Sequence, residues 1–267
     1  MIEKFTESKI MDHVVVDGVT LECRWAGPPA DGGQPVLVFL HEGLGSVGQW
    51  KDFPDLIAKR TGLPTLIFSR QGYGASDPIP LPRPVSFMHH EGQSVLPALL
   101  KAVGIQDAIL VGHSDGASIS LIHAGSGNAS AVRGLILEAP HVFVEPETLS
   151  GIRDAKVAYE AGGLRDGLAR YHGENVDCAF WGWNGVWLNP DFERWNIEEF
   201  LPSVEVPTMV IQGELDEYGT KAQVDAIASN VSGPVETVMI PDCGHAPHAQ
   251  QRDKVADAMV GFVKGII

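Results

Sequence analysis

Cysteine is scarce in this chain. Only Cys23, Cys178 and Cys243 occur in 267 residues, far apart and odd in number. That excludes a disulfide framework or a zinc knot as the organising device, and a reducing, cytoplasmic compartment is the expectation. Positive charge is also short. Lys and Arg total 19 against 34 Asp and Glu, a net charge of −15. Such a surface repels phosphate backbones, so no nucleic-acid partner is expected. No apolar run reaches the roughly 20 residues that cross a bilayer, so no membrane partner is expected either. The segment Met1-Ile2-Glu3-Lys4-Phe5-Thr6-Glu7 has no basic stretch leading into an apolar one, and no secretory leader is expected. Repeats and low-complexity tracts are lacking too.

The remaining composition is that of a globular protein. Hydrophobic residues make up 44% and charged residues 20%, and the length suits one compact domain with a small insertion. Two segments near the start, His13–Val16 and Val19–Trp25, flank Asp17-Gly18, a dipeptide suited to a tight hairpin turn. Six later runs are short and nearly continuously apolar: Val36–Leu40, Thr65–Ser69, Ile109–Gly112, Leu135–Leu137, Thr208–Ile211 and Glu236–Ile240. Continuous apolar strands are those covered on both faces, as in a parallel sheet. Between them lie helical patterns at Trp50–Arg60, Phe87–Val103, Ser114–Ala124, Lys221–Asn230 and Gln251–Ile266. The alternation predicts an α/β fold with a mostly parallel eight-stranded sheet and helices on both faces. Ligand sites in such folds form beyond the carboxyl ends of the strands.

Residues 141–202 break the rhythm. They carry helix-like segments at Ile152–Glu160 and Leu164–Tyr171, and four of the six tryptophans: Trp181, Trp183, Trp187 and Trp195. The predicted organisation is a core of residues 1–140 and 203–267 with a helical cap, 141–202, inserted in it. Large aromatics mostly serve as packing. A sharper expectation is that Trp181, Trp183 and Trp187, with Leu44, line an apolar substrate pocket.

The residues after the strands carry the chemistry. Val111-Gly112-His113-Ser114-Asp115-Gly116 is a G-x-S-x-G turn between a strand and a helix. Its glycines let the chain turn sharply enough to expose a nucleophilic serine at a helix N-terminus. The duller reading of Ser114 is a helix N-cap. A serine nucleophile needs a base and the base an orienting acid. Asp216 follows the strand Thr208–Ile211, and His245 follows Glu236–Ile240. Ser114, Asp216 and His245 are therefore the expected catalytic residues. Glu138, after Leu135–Leu137, is a rival for the acid, and His248 is a rival for the base. No further ligands cluster with His245 and His248, so no metal is expected, and no cofactor.

From about residue 10 to the end the chain resembles the α/β-hydrolase superfamily, on the strength of Gly112–Gly116, Ile211–Asp216 and Cys243-Gly244-His245. A further similarity is His41-Glu42-Gly43-Leu44-Gly45-Ser46 after a strand, which is like the family's His-Gly loop. The resemblance implies an oxyanion hole built from the N–H groups of Asp115 and of Gly43, with Leu44 as second choice. Two features depart from the pattern. Glu42 stands where the family usually has glycine. Ser69-Arg70-Gln71-Gly72-Tyr73-Gly74-Ala75-Ser76 is similar to the family's Asp-x-x-Gly-x-Gly-x-Ser segment but lacks its first aspartate. Arg70 is expected to pair with Glu42 or another acid. The implied activity is hydrolysis of a small-molecule ester, apolar or aromatic. A thioester, a lactone or the C–C bond of a diketone suits the same triad, and a non-catalytic receptor is the reading from another class. Exposed Trp and Leu on the cap would equally suit a homodimer contact.

Overall fold

The computed structural model describes residues 11–127 and 129–267. Eight strands form one sheet: β1 (Met11–Val16), β2 (Val19–Ala26), β3 (Val36–Leu40), β4 (Thr65–Phe68), β5 (Ala108–His113), β6 (Val132–Glu138), β7 (Thr208–Gly213) and β8 (Val235–Ile240). Their order is β1-β2-β4-β3-β5-β6-β7-β8. The β1–β2 hairpin and the β2–β4 pairing are antiparallel, and the other pairings are parallel. Asp17 and Gly18 both have positive φ, 49° and 86°, as the tight turn of that hairpin requires.

The continuous apolar runs are explained by burial on both faces. Successive side chains of a strand alternate between faces. Val36, Val38 and Leu40 join Leu110, Leu135, Leu137 and Val210 in one core. Leu37 and Phe39 join Ile109, Val111, Ile136, Met209 and Ile211 in the other. Each such side chain, fully removed from water, contributes roughly 1.5–3 kcal/mol. Helices α1 (Phe53–Thr61) and α10 (Arg252–Ile266) cover the second core. On the first lie α2 (Phe87–His90) and α3 (Leu96–Ala102), joined through a π-helical turn at Glu91–Val95, with α4 (Asp115–Gly125) and α8 (Lys221–Asn230). A four-residue helix, α9 (Pro247–Gln250), follows β8.

Between β6 and β7 the chain forms α5 (Pro146–Glu160), α6 (Gly163–His172) and α7 (Val176–Trp187), then short 3-10 turns. This stretch has no named strand, and its one β-bridge joins Phe143 to Asn196. The aromatic run is mostly a helix, α7, whose Phe180, Trp183 and Trp187 are buried in the first core.

Candidate active site

The β5–α4 connection is strained at one residue. Ser114 has φ 53° and ψ −117°, a region that costs side-chain-bearing residues on the order of 1–3 kcal/mol. The flanking glycines make the turn possible. A Cβ on Gly112 would lie 2.6 Å from the Cα of Ala117, and one on Gly116 would lie 2.1 Å from the Leu40 carbonyl oxygen. Ser114 occupies the N-cap position of α4 but its hydroxyl makes no capping bond. The hydroxyl faces His245 instead, with Oγ 3.0 Å from Nε2.

Two loops at the same sheet edge supply the partners. Gly213, the last residue of β7, would carry a Cβ only 2.3 Å from the carbonyl oxygens of Cys243 and Gly244. Glycine there lets the β7 and β8 loops touch. That contact brings Asp216 to His245, whose Nδ1 lies 2.8 and 2.9 Å from the two carboxylate oxygens. Asp216 also accepts from the Tyr218 N–H (2.8 Å), the Gly219 N–H (3.2 Å) and Gln212 Nε2 (2.7 Å). Burial pushes the Asp216 carboxyl up, but the hydrogen bond and charge of His245 outweigh it, and the net shift is downward. Burial pulls the His245 imidazole down; the hydrogen bond and charge of Asp216, aided by Glu42 and Glu217, reverse this and raise it above 6.5.

A second carboxylate–imidazole pair lies beside the first. Glu138, at the end of β6, accepts from His248 Nδ1 at 2.9 Å and from the His248 N–H at 3.1 Å. Glu138 and His248, the sequence rivals, thus engage each other and not His245. His113 Nε2, at the end of β5, donates to the His245 carbonyl at 2.7 Å, which tethers the loop that carries His245. Burial holds His113 down to about 4 and His141, 5.7 Å from His245 between ring centres, down to about 3.

The loop after β3 is held by its carbonyls. The Glu42 carbonyl accepts from His41 Nδ1 (2.6 Å), Arg70 Nη2 (2.9 Å) and the Gly45 N–H (3.2 Å). Arg70 Nη1 donates to the His41 carbonyl, and His172 Nε2 of α6 donates to that of Leu44 at 2.8 Å. The N–H groups of Gly43 and Leu44 make no hydrogen bond among the described residues. The expected Arg70–Glu42 ion pair is not formed. The guanidinium serves the loop backbone, because its two Nη atoms reach adjacent carbonyls from the end of β4. The carboxylate that the family pattern places at residue 69 comes from β2: Glu22 Oε2 accepts from Ser69 Oγ (2.6 Å) and from the Ala75 N–H (3.1 Å).

Glu42, Gly43, Leu44, Ser114, Asp115, His141, Thr148, Ile152, Trp183, Trp187, Tyr218 and His245 line one cavity of about 60 Å³. Leu44, Trp183 and Trp187 thus line the cavity that also holds Ser114. Trp183 lies over the β3 loop, since a Cβ on Gly43 would meet its Cδ1 and Nε1 at 2.2 Å. Trp187 donates to Asp115 Oδ1 at 3.2 Å. Trp181 does not line the cavity. It sits two residues before Trp183, on another side of α7, against Phe180 and Tyr159 with Lys156 above its ring. Burial first of all, against the nearby Arg70 charge, raises Asp115 to about 6. A larger groove of about 570 Å³, lined by Glu22, Asp77, His172 and Glu174 among others, contains no member of the Ser114 cluster. Gln212, Tyr218, His141 and His172 were not legible from the sequence; of these only Gln212 carried a signal, its place at the end of a strand.

Comparisons with known proteins identify the family and the fold. A sequence model described as the alpha/beta hydrolase family matches residues 37–258. The mouse (Mus musculus) protein named serine hydrolase BPHL is 27% identical over 257 residues, covering 94% of this chain and 85% of that protein. Epoxide hydrolase A of Mycobacterium tuberculosis is 25% identical, covering 95% of this chain and 97% of its own. Among solved structures, the enol-lactonase from Burkholderia xenovorans superposes with a TM-score of 0.73 at 19% identity, covering 95% of this chain and 100% of that one. VinJ superposes with a TM-score of 0.74 at 20% identity, covering 96% of this chain and 99% of that one.

Proposed function

The chain belongs to the alpha/beta hydrolase family and is a hydrolase, and we propose that it cleaves carboxylic esters of small apolar or aromatic substrates through an acyl-enzyme on Ser114. The observation that carries this reading is the line of contacts from Ser114 Oγ to His245 Nε2, 3.0 Å, and from His245 Nδ1 to Asp216, 2.8 Å. His245 takes the proton of Ser114 as the hydroxyl attacks the carbonyl carbon. The N–H groups of Asp115 and Gly43 hold the oxyanion. His245 then protonates the leaving alcohol and later activates the water that releases the acid, while Asp216 fixes the imidazole tautomer and stabilises the imidazolium.

A serine nucleophile favours acyl chemistry over epoxide opening. Attack of an alkoxide on an oxirane would leave an ether on Ser114, which water does not readily cleave. An acyl ester on Ser114 passes through a second tetrahedral oxyanion and turns over. The cavity supports a short substrate: about 60 Å³ with Ile152, Trp183 and Trp187 in its wall. We assign residues 141–202 as the cap that closes it, and the core as 1–140 and 203–267. Among the described residues the lining includes Glu42 and Asp115 and no Lys or Arg, so neutral esters suit it better than anionic ones. Free thiols at Cys23, Cys178 and Cys243 suit a reducing, cytoplasmic setting.

The test is a panel of aryl acetates, butyrates, benzoates and a succinate monoester, with acyl thioesters and lactones as further arms. The wild type should react with a fluorophosphonate at Ser114, and S114A should lose about 10⁴- to 10⁶-fold in kcat while keeping its fold. Full activity of S114A on the best ester would refute the assignment. A preference for the succinate monoester over the butyrate would refute the reading of the cavity charge.

A further inference from the structure

Arg70 is fully buried, yet none of the ion pairs among the described residues includes it. Its Nη atoms donate to the carbonyls of His41 and Glu42, and its Nε is buried without a partner. Its backbone N–H donates to His41 Nε2 at 3.0 Å, so the other ring nitrogen, Nδ1, carries the proton and donates to the Glu42 carbonyl. The Tyr73 ring lies 5.0 Å from the guanidinium. A buried charge is costly unless a counter-charge meets it. A neutral amide could serve a loop carbonyl without that cost. The positive charge therefore calls for a reason beyond tethering.

The peptide it touches supplies one. The Glu42 carbonyl and the Gly43 N–H belong to the same planar, conjugated group. Three donors converge on the carbonyl, one of them a cation. Donation into the C=O end polarises the unit and strengthens the N–H end as a donor. That N–H has no partner among the described residues and belongs to a residue lining the cavity with Ser114. Two carboxylates, Glu42 and Asp115, line the same cavity, and each opposes a developing oxyanion. We propose that Arg70 is a positioning residue for the oxyanion hole: it polarises the Glu42–Gly43 peptide from behind and offsets the Glu42 and Asp115 carboxylates. This deepens the acyl-transfer reading and rests on it.

The effect is confined to the transition state, because the oxyanion exists only there. The experiment compares R70Q, R70K and R70M with wild type on one aryl ester, with melting curves as the fold check. A trifluoromethyl ketone, which forms an oxyanion adduct with a serine, is titrated as inhibitor. R70Q should lose about ten- to a hundred-fold in kcat, less than the 10²–10³ that follows removal of an oxyanion donor itself. KM should stay within about threefold, and inhibitor affinity should fall in step with kcat/KM. R70K keeps the charge and one donor, so it should retain more kcat than R70Q. Should R70Q fail to fold, R70M takes its place with the same expectation. The proposal is overturned if the folded neutral variant keeps kcat within threefold of wild type, if KM rises as far as kcat falls, or if R70K is no better than the neutral variant. Failure of the wild type to label at Ser114 would instead overturn the reading on which it rests.

Discussion

Asp216 and Glu138 each hold an imidazole, and their roles separate cleanly by amide substitution. In D216N the new side chain meets donors on both sides: Tyr218 and Gly219 N–H at one oxygen, Gln212 Nε2 at the other. Whichever way the amide turns, its NH₂ faces another donor. His245 Nδ1 lies close to both positions, so the NH₂ also faces it and favours the tautomer with Nδ1 unprotonated, which accepts from the amide and directs Nε2–H at Ser114, where it cannot act as base. Loss of the acid from such a triad costs about 10⁴ in kcat, or about 5 kcal/mol at 1.36 kcal/mol per decade. The pH profile adds a second readout. The base must be neutral to attack, so kcat/KM of the wild type rises with pH through the raised His245 pKa, above 6.5. Without the Asp216 hydrogen bond and charge, that limb moves to lower pH. In E138Q the amide oxygen can still accept from His248, while the NH₂ replaces Glu138 Oε1, which is buried without a partner. An unsatisfied buried group costs about 1–3 kcal/mol of stability, a few degrees of melting temperature or somewhat more in a domain of this size. Its kcat should stay within about threefold of wild type, a band far narrower than the D216N loss. Steady-state kinetics on an aryl ester, pH 5 to 9, and melting of both variants measure these quantities. A loss of kcat in E138Q as deep as in D216N would refute the division of roles.

Two further outcomes follow from the buried histidines and from the tight loop. His113 and His141, held down to about 4 and about 3 by burial, stay neutral in the folded chain at pH 5, whereas unfolded histidines with a pKa of 6.5 take up protons. A depressed histidine contributes stability that is present above 6.5 and lost as pH falls below it, about 2 kcal/mol each at pH 5; His245, raised, returns part of this below 6.5. Urea unfolding should show a net loss of a few kcal/mol from pH 7.5 to 5, and a flat or rising stability over that window would sink the argument. Gly43→Ala drives a methyl into Trp183, 2.2 Å away, and should cost about 10²-fold in kcat, as a misplacement of about 1 Å does. W183A in the same chain should recover part of it, and a G43A enzyme with wild-type kcat would show that the loop yields freely.

How much of this was legible depends on the range of the interaction. Ser114 could be read because a sharp strand–helix turn demands glycines at fixed offsets, and both meet backbone that a Cβ would strike. Asp216 and His245 could be read because strand ends of a parallel sheet share an edge. The choice between Asp216 and Glu138 could not be derived locally, since it rests on the β7 and β8 loops touching at Gly213, a contact between segments about 30 residues apart. Trp181 was misplaced with Trp183 and Trp187 because the run reads as uniformly aromatic. Only the phase of α7, in which residues four apart share a face, separates them. Arg70 and Glu22 were hidden for a different reason. A charged residue in sequence invites a charged partner, yet Arg70 meets carbonyls and Glu22 meets a hydroxyl and an N–H. Backbone groups outnumber side-chain charges in any interior, and composition carries no trace of which of them lie unsatisfied. Glu42, which departs from the family pattern, and Arg70, which follows the residue where the pattern's aspartate is missing, therefore look independent in one dimension. In three they meet on a single peptide, the arginine on its carbonyl and the carboxylate on the residue that owns that carbonyl.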